Sequence, residues 1–351
     1  MTKRPKRAKR SRRPAEPWWA QLPTEELLDV RLCDLDLALE GTALQRRVDQ
    51  LNGELERAGL VFRPYVYLSV DWFTPEGSTG FAVPFYLAHP RLVRLERAQM
   101  LEVEGGSRDQ CMRLMRHEAG HAIDNAYGLR RKRVWRETFG RASKPYLSSY
   151  TPDPTSREHV LNLDYWYSQS HPLEDWAETF AVWLTPGSRW RRRYADWPAL
   201  RKLEAVAGMM AEVREREPLL VTRAKEEPAH RVRTTLRRYY ERKRAFYAEE
   251  ANPAFDGHLA RVFPPAATSP GRPRAMAFLR KHRVALVRRV SEATGQHRYL
   301  LDHVVREMVA RCRTKDLRVA TARTEALVDA AVVLTILSGQ FLYGAHPRYQ
   351  R

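Results

Sequence analysis

Residues 117–128 read HEAGHAIDNAYG, and the fold of the chain turns on whether they form a helix. On a helix, positions four apart stand one turn above each other on the same face. His117 and His121 then present two imidazoles to a single point, while Glu118 is rotated by about 100° from His117. Asp124 extends the same stripe, three residues after His121 and seven after His117. Working outward, Ser107 is a good N-cap, and Cys111, Leu114, Met115, Ala119, Ala122 and Ile123 supply apolar positions. Gly128 is a natural stop. The pattern predicts a helix from about Ser107 to Gly128.

Two histidines at this spacing suit Zn²⁺, which takes nitrogen and carboxylate ligands in a tetrahedral array and in catalytic sites keeps one position for water. Glu118 is turned away from the histidine pair and is better placed to take a proton from that water, the general-base role in HExxH metalloproteases. The bland alternative is an amphipathic helix carrying two solvated histidines, and a third ligand decides between them. One class of HExxH enzymes finds it in a later histidine, HExxHxxGxxH. Here the corresponding positions are Asp124 and Tyr127, which excludes that class.

A second class takes a glutamate from a downstream helix. HPLEDWAETFAVWL (171–184) predicts such a helix, with Pro172 in its first turn. Glu174 and Glu178 share one face of it. Glu174 could bind the metal, while Glu178 could accept a hydrogen bond from a ligand histidine and fix its tautomer. Asp124 is a second candidate for that orienting role. With His171 as N-cap, Glu174 also falls where a glutamate commonly caps a helix. Taken alone the two readings weigh equally; the pairing with HEAGHAID favours the ligand. Tyr167 precedes this helix and could steady an oxyanion near the metal, or be a packed aromatic with its hydroxyl paired. His171 could serve similarly, although capping suits it better.

HEAGHAID followed by HPLEDWAETFAVWL resembles the bacterial zinc-binding metallopeptidases, a gluzincin-like family, and SVDWFTPEGSTGFAVPFYLAHPRL (69–92) looks like their upstream segment. The resemblance covers roughly residues 60–190. It implies that His117, His121 and Glu174 bind zinc and that Glu118 is the catalytic base. The order HExGHAxD, then Tyr, then ExxAE also looks like the catalytic domain of anthrax lethal factor. By that likeness Tyr167, seven residues before Glu174, assists catalysis. Residues 191–351 resemble nothing that would name a function.

Around these motifs, 24–58 carries apolar residues at helical spacing up to Gly59 and predicts one or two helices. LVFRPYVYLSVDW (60–72), FAVPFYL (81–87) and RLVRLE (91–96) read as strands, and Pro84 argues that the second lies at a sheet edge. Residues 129–170 read as a long irregular loop region. From Trp190 onward the pattern is mainly helical. A Pro-rich break over 252–273 precedes helices at about 273–294, 297–312 and 318–343. The expected class is α+β: a zincin-like catalytic domain, with a small twisted sheet whose edge strand packs on the HEAGH helix, then a mainly helical C-terminal region. The expected divisions are a disordered basic tail (1–20), the zincin-like metallopeptidase domain (21–190) and the helical region (191–351).

The 351 residues allow one large domain or two ordinary ones, and 43% hydrophobic content is enough to bury a core. Lys and Arg number 61 against 42 Asp and Glu, for a formal charge of +19. Eight of the first thirteen residues, MTKRPKRAKRSRR, are Lys or Arg. Such a block reads as a solubilising tail or as a weak contact for nucleic acid or acidic surfaces. No apolar leader follows it, so the chain is expected in the cytoplasm. The run from Ala330 to Gly344 falls short of the ~20 apolar residues a membrane helix needs, so it reads as a buried terminal helix and no membrane contact is expected. Cys33, Cys111 and Cys312 show no pairing pattern and read as reduced thiols. The function expected is a zinc-dependent metallopeptidase acting on a peptide or protein substrate. The alternatives are a non-catalytic zinc-containing binding or regulatory protein, and a basic nucleic-acid-binding protein.

Overall fold

The computed structural model describes residues 16–147, 150, 152–153, 155–248 and 255–342. The block MTKRPKRAKRSRR, expected to be disordered, lies outside these residues. Folded structure begins before residue 21, where the tail was expected to end. Trp18–Gln21 forms a 3-10 turn, and the buried Trp19 donates its Nε1–H to the Leu35 carbonyl at 2.8 Å. Trp19 supplies buried apolar area that the preceding Lys/Arg block lacks, while Trp18 stays exposed.

Helices α1 (Thr24–Leu28) and α2 (Ala43–Arg57) follow. Thr42 caps α2 by accepting from the Gln45 N–H at 3.1 Å, and Gly59 ends the segment at φ +78°. The buried face of α2 is the one its spacing predicts: Leu44, Val48, Leu51 and Leu55. Strands β1 (Tyr65–Ser69) and β2 (Gly80–Pro84) then pair in parallel, with Tyr65 opposite Gly80 and Ser69 opposite Pro84. The link between them, residues 70–79, is short for a parallel crossover. It doubles back so that Phe73 bridges Ala82 antiparallel, the Ala82 N–H donating to the Phe73 carbonyl at 2.8 Å. β2 is therefore flanked by β1 and Phe73 and buried along its length. In a two-stranded sheet β2 is an edge strand, as expected, although Phe73 bridges its outer side at Ala82, and the strand stops at Pro84 because Phe85–Ala88 is a 3-10 turn.

RLVRLE is helix and not strand. It lies in α3 (Pro90–Met100), whose N-cap is His89 and whose first residue is Pro90. Leu92, Leu95 and Met100 are buried from it. Six residues are too few to separate a period of 2 from one of 3.6, and the His-Pro start was the better signal. α4 (Arg108–Tyr127) carries the histidines. Ser107 caps it by accepting from the Gln110 N–H, and Gly128 closes it at φ +61°. Residues 129–170 are less irregular than expected: they include 3-10 turns at Leu129–Arg131 and Asp164–Gln169 and the helix α5 (Arg133–Phe139). Trp135 and Phe139, one turn apart on α5, pack on Trp176 with ring centroids 6.3 and 5.6 Å away.

α6 (Pro172–Leu184) crosses α4 at close range. The Trp176 Nε1–H donates to the Gly120 carbonyl at 2.7 Å. A Cβ at Gly120 would stand 3.0 Å from the Ala177 Cα and 3.2 Å from the Phe180 ring, so the second variable letter of HExxH is a glycine for lack of room. α7 (Trp190–Arg193), α8 (Ala199–Val213) and α9 (Leu236–Ala248) continue the chain. The core holding α2, α3, α4 and α6 runs on through Val206, Met209 and Met210 of α8 to Leu236 and Tyr240 of α9. Lys243 of α9 reaches the buried Glu96 of α3 at 2.8 Å, over the Tyr86 ring. The division expected at residue 190 thus falls inside a continuous core. A separate core is built by α10 (Phe255–Val262), α11 (Ala275–Thr294), α12 (Arg298–Thr314) and α13 (Arg323–Leu342), around Leu279, Leu301, Val304, Met308 and Leu334. The terminal helix, expected to be buried, is buried on one face only: Val328, Val332 and Ile336 are exposed on it. Residues 343 and 344 of that expectation lie outside the described residues. Among the described residues, no helix is long and apolar enough to cross a membrane. The architecture is α+β and mainly helical, with a small two-stranded parallel sheet.

Gly120→Ala should wedge α6 away from α4. The expected loss of unfolding free energy is about 1–3 kcal/mol, as for overpacking generally, read as a lower urea midpoint. An unchanged midpoint would show that the close approach is not tight.

Candidate metal centre

α4 and α6 bring His117, His121 and Glu174 to one point, their ligand atoms all within 4.8 Å of one another. His117 Nε2 lies 3.1 Å and His121 Nε2 3.3 Å from Glu174 Oε2, and the two Nε2 atoms are 3.2 Å apart. The geometry follows from the sequence spacing. The histidines are one turn apart on α4, and Glu174 stands in the first turn of α6, which the Gly120 contact presses against them. His171 begins α6 as its N-cap, its Nδ1 accepting from the Leu173 N–H at 3.1 Å.

Glu178, one turn after Glu174, accepts from His117 Nδ1 at 2.9 Å. Its carboxylate is held in turn by Asn162 Nδ2 and by the Leu163 N–H, both at 2.7 Å. With its proton on Nδ1, His117 turns the Nε2 lone pair towards Glu174 and His121. Burial opposes charge on His117, but Glu174 and Glu178 outweigh it and raise the affinity of the ring for a proton. Burial likewise pushes Glu174 up, yet the two histidines outweigh it and hold the carboxylate well below its usual range. Three ligand atoms facing one another at these distances repel unless a proton or a cation lies between them. Three buried glutamates, 118, 174 and 178, surround the point. Their hydrogen bonds go to Thr74, the histidines, Tyr146, Asn162 and the Leu163 N–H, with no lysine or arginine among the described partners. Burying that much negative charge is costly without a positive partner. The donor set, two imidazoles and a carboxylate, is the one Zn²⁺ takes in catalytic sites.

Glu118 stands outside the converging group, as its helical rotation predicts. Thr74 Oγ1 lies 2.9 Å from its Oε2 and 3.1 Å from its carbonyl oxygen. Burial pushes the Glu118 carboxyl above its usual range. Thr74 belongs to the link that doubles back beside β2, so the turn in that link brings the hydroxyl to Glu118.

Asp124 is not on a histidine. Its Oδ1 accepts from the Arg130 N–H at 2.7 Å and its Oδ2 from Arg130 Nε at 2.5 Å. The same arginine reaches Asn125 Oδ1 at 2.6 Å and Glu76 at 3.0 Å, tying the end of α4 to the 70–79 link. The orienting role weighed for Asp124 is thus replaced by a clamp on Arg130. His171 is also committed: besides capping α6, its Nε2 pairs with the Lys144 carbonyl at 2.6 Å, which leaves no ring nitrogen for an oxyanion. Tyr167 sits against the His117 ring, centroids 5.7 Å apart, and is 1% exposed.

Sequence reasoning missed Tyr146. Its hydroxyl donates to Glu174 Oε1 at 2.6 Å, and its ring stacks on His171 at 3.8 Å. Burial and the neighbouring Glu174 charge raise the phenol above its ordinary range, although the residue as a whole is 44% exposed. The residue lies in a stretch without periodicity, where no pattern singles it out. Thr74, Arg130 and Asn162 were missed for the same reason. In comparisons with known proteins, no family model, no curated protein and no solved structure matches the chain.

Removing the cation of the Asp124 pair leaves a fully buried carboxylate. Arg130→Leu should therefore cost about 3 kcal/mol of stability, and Arg130→Leu with Asp124→Leu should recover most of it. A denaturant titration that finds the single variant as stable as the parent would refute the clamp.

Proposed function

We propose that the chain is a zinc-dependent metallopeptidase with a zincin-like catalytic core, working on a peptide or protein substrate. The observation that carries this reading is the convergence of His117, His121 and Glu174 from two helices, with a buried glutamate next to the group and outside it. His117, His121 and Glu174 would hold the ion. Zn²⁺ bound there would supply Lewis-acid polarisation of a carbonyl and lower the pKa of a nearby water.

The remaining chemistry belongs to the side chains. Glu118 would take the proton of the attacking water and return it to the leaving amine. A carboxyl whose proton affinity is raised by burial suits a group that must do both. The Thr74 hydroxyl holds Glu118 Oε2 in place. Glu178 fixes the His117 ring and its tautomer. Tyr146, bonded to Glu174 Oε1, leaves Oε2 turned to the histidines. Tyr167 would act first as a wall that positions His117; its hydroxyl reaches a substrate only if the site opens. A cytoplasmic location and a weak contact of the basic N-terminal stretch with nucleic acid or acidic surfaces remain part of the proposal.

The competing reading, a non-catalytic zinc-containing binding or regulatory protein, calls for a closed site with a fourth protein ligand. Among the described residues three donors converge and no fourth joins them.

Glu118→Gln should keep one equivalent of zinc and lose peptide cleavage by about 10²–10⁴-fold, measured on a peptide library with metal analysis of the same preparation. Undiminished cleavage would remove Glu118 from the base role. Glu174→Ala should release the zinc, and retention at the parent's stoichiometry would take Glu174 out of the ligand set.

A further inference from the structure

A polar cavity lies beside the N-terminal half of α4, along Asp109, Arg113 and Arg116, and nothing in the peptidase reading uses it. It has a volume of about 510 Å³ and is lined by Arg108, Arg113, Arg116, Arg193, Glu54 and Asn162, with Asp109 at its rim. A space of this size is within the range of small-molecule sites, roughly 300–1,000 Å³.

The arginines are not equivalent. Arg116 is buried and spent on Glu54, its Nε and Nη2 meeting the two carboxylate oxygens at 2.7 and 2.9 Å. The other three have neutral partners. Arg108 Nε and Nη2 both point at Gln50 Oε1, at 3.1 and 2.5 Å. Arg113 Nη1 donates to the Asn162 carbonyl at 3.2 Å. Arg193 lies over the Tyr194 ring at 5.3 Å. Four guanidinium groups against the carboxylates of Glu54 and Asp109 leave two positive charges facing one hollow. The short helix α7, which carries Arg193, also places Arg191 and Arg192, with its N-cap Arg189, around an adjoining hollow of about 440 Å³. A guanidinium offers paired donors in a fixed plane that match the oxygens of a phosphate, and those left on neutral partners keep donors and charge to give.

We infer that this cavity binds a phosphate group, presented as a free phosphate or as the end of a small organic phosphate. Arg108, Arg113 and Arg193 supply the charge, and the buried Arg116–Glu54 pair forms the rigid floor. The site is distinct from the metal centre but adjoins it. The Asn162 carbonyl that accepts from Arg113 belongs to the residue whose amide holds Glu178, and Glu178 holds His117. An occupant that draws Arg113 inward acts on the residue that steadies the ligand histidine.

The test is titration calorimetry of the full chain with inorganic phosphate and with pyrophosphate, at fixed ionic strength against chloride. The parent should bind at least one of them saturably. Arg113→Gln with Arg193→Gln should weaken that binding at least tenfold, with an unchanged melting temperature in chloride because both side chains are exposed. Arg191→Gln with Arg192→Gln, in the adjoining hollow, should change it less than twofold. Glu174→Ala, which dismantles the metal centre, should leave phosphate binding in place. The inference falls if neither anion binds saturably, or if binding is lost with Glu174→Ala and kept in the Arg113/Arg193 variant. It also falls if only a single-stranded oligonucleotide binds and both arginine pairs weaken it alike, since that marks a diffuse basic face.

Discussion

The distance between α4 and α6 at Gly120 governs the rest of the molecule. With no Cβ there, Ala177 and Phe180 settle against the HEAGH turn, and Trp176 locks the approach with a bond from its indole to the Gly120 carbonyl. Two consequences follow at once. Glu174, a turn before the contact, reaches both histidines, and Glu178, on the same face and a turn later, reaches the far nitrogen of His117. The ligand set is therefore a property of helix packing more than of either helix, and the aromatic layer of Trp135, Phe139 and Trp176 stiffens it from behind.

Much of the site could be read from the sequence because its signals are local. Ser107 and Gly128 bracket α4, His171 and Pro172 start α6, and the spacing of 117, 121, 174 and 178 assigns faces without any knowledge of the tertiary fold. What failed was non-local or too short. The hexamer RLVRLE carries no decisive period, so a capped helix passed for a strand. Asp124 lies on the right stripe, but its partner was decided by Arg130, which arrives after a turn that no spacing rule covers. Tyr146 comes from a loop whose path is set by packing on His171. The division at 190 followed a change in composition, whereas the core follows the apolar face of α8, and a sequence does not say which neighbour such a face will meet.

The buried charges of this strongly basic chain come in matched sets. Arg116 answers Glu54, Arg130 answers Asp124, Lys243 answers Glu96, and Lys202 reaches Asp175 at 2.6 Å. Three of them, all but Arg130–Asp124, join segments at least 27 residues apart, so those fix a relative placement as well as a charge. Around the histidines that pattern stops: three glutamates gather with neutral or histidine partners. The proposed cation would supply there the positive partner that the other buried carboxylates find in a lysine or an arginine.

The link between β1 and β2 has one further implication. Its Phe73 is pinned to Ala82, Thr74 to Glu118, and the Pro75 and Ser78 carbonyls accept from Asn125 Nδ2 at 3.5 and 2.8 Å. Among the described residues, the tip residues Glu76 and Gly77, between Pro75 and Ser78, make no such contact with α4, and Glu76 is reached only by Arg130 from beyond its end. Natural variation in this segment should keep a glycine at 77, where φ is +68°, and be strict in length. One residue more or fewer would slide the Thr74 hydroxyl off the glutamate while every motif in the sequence stayed intact.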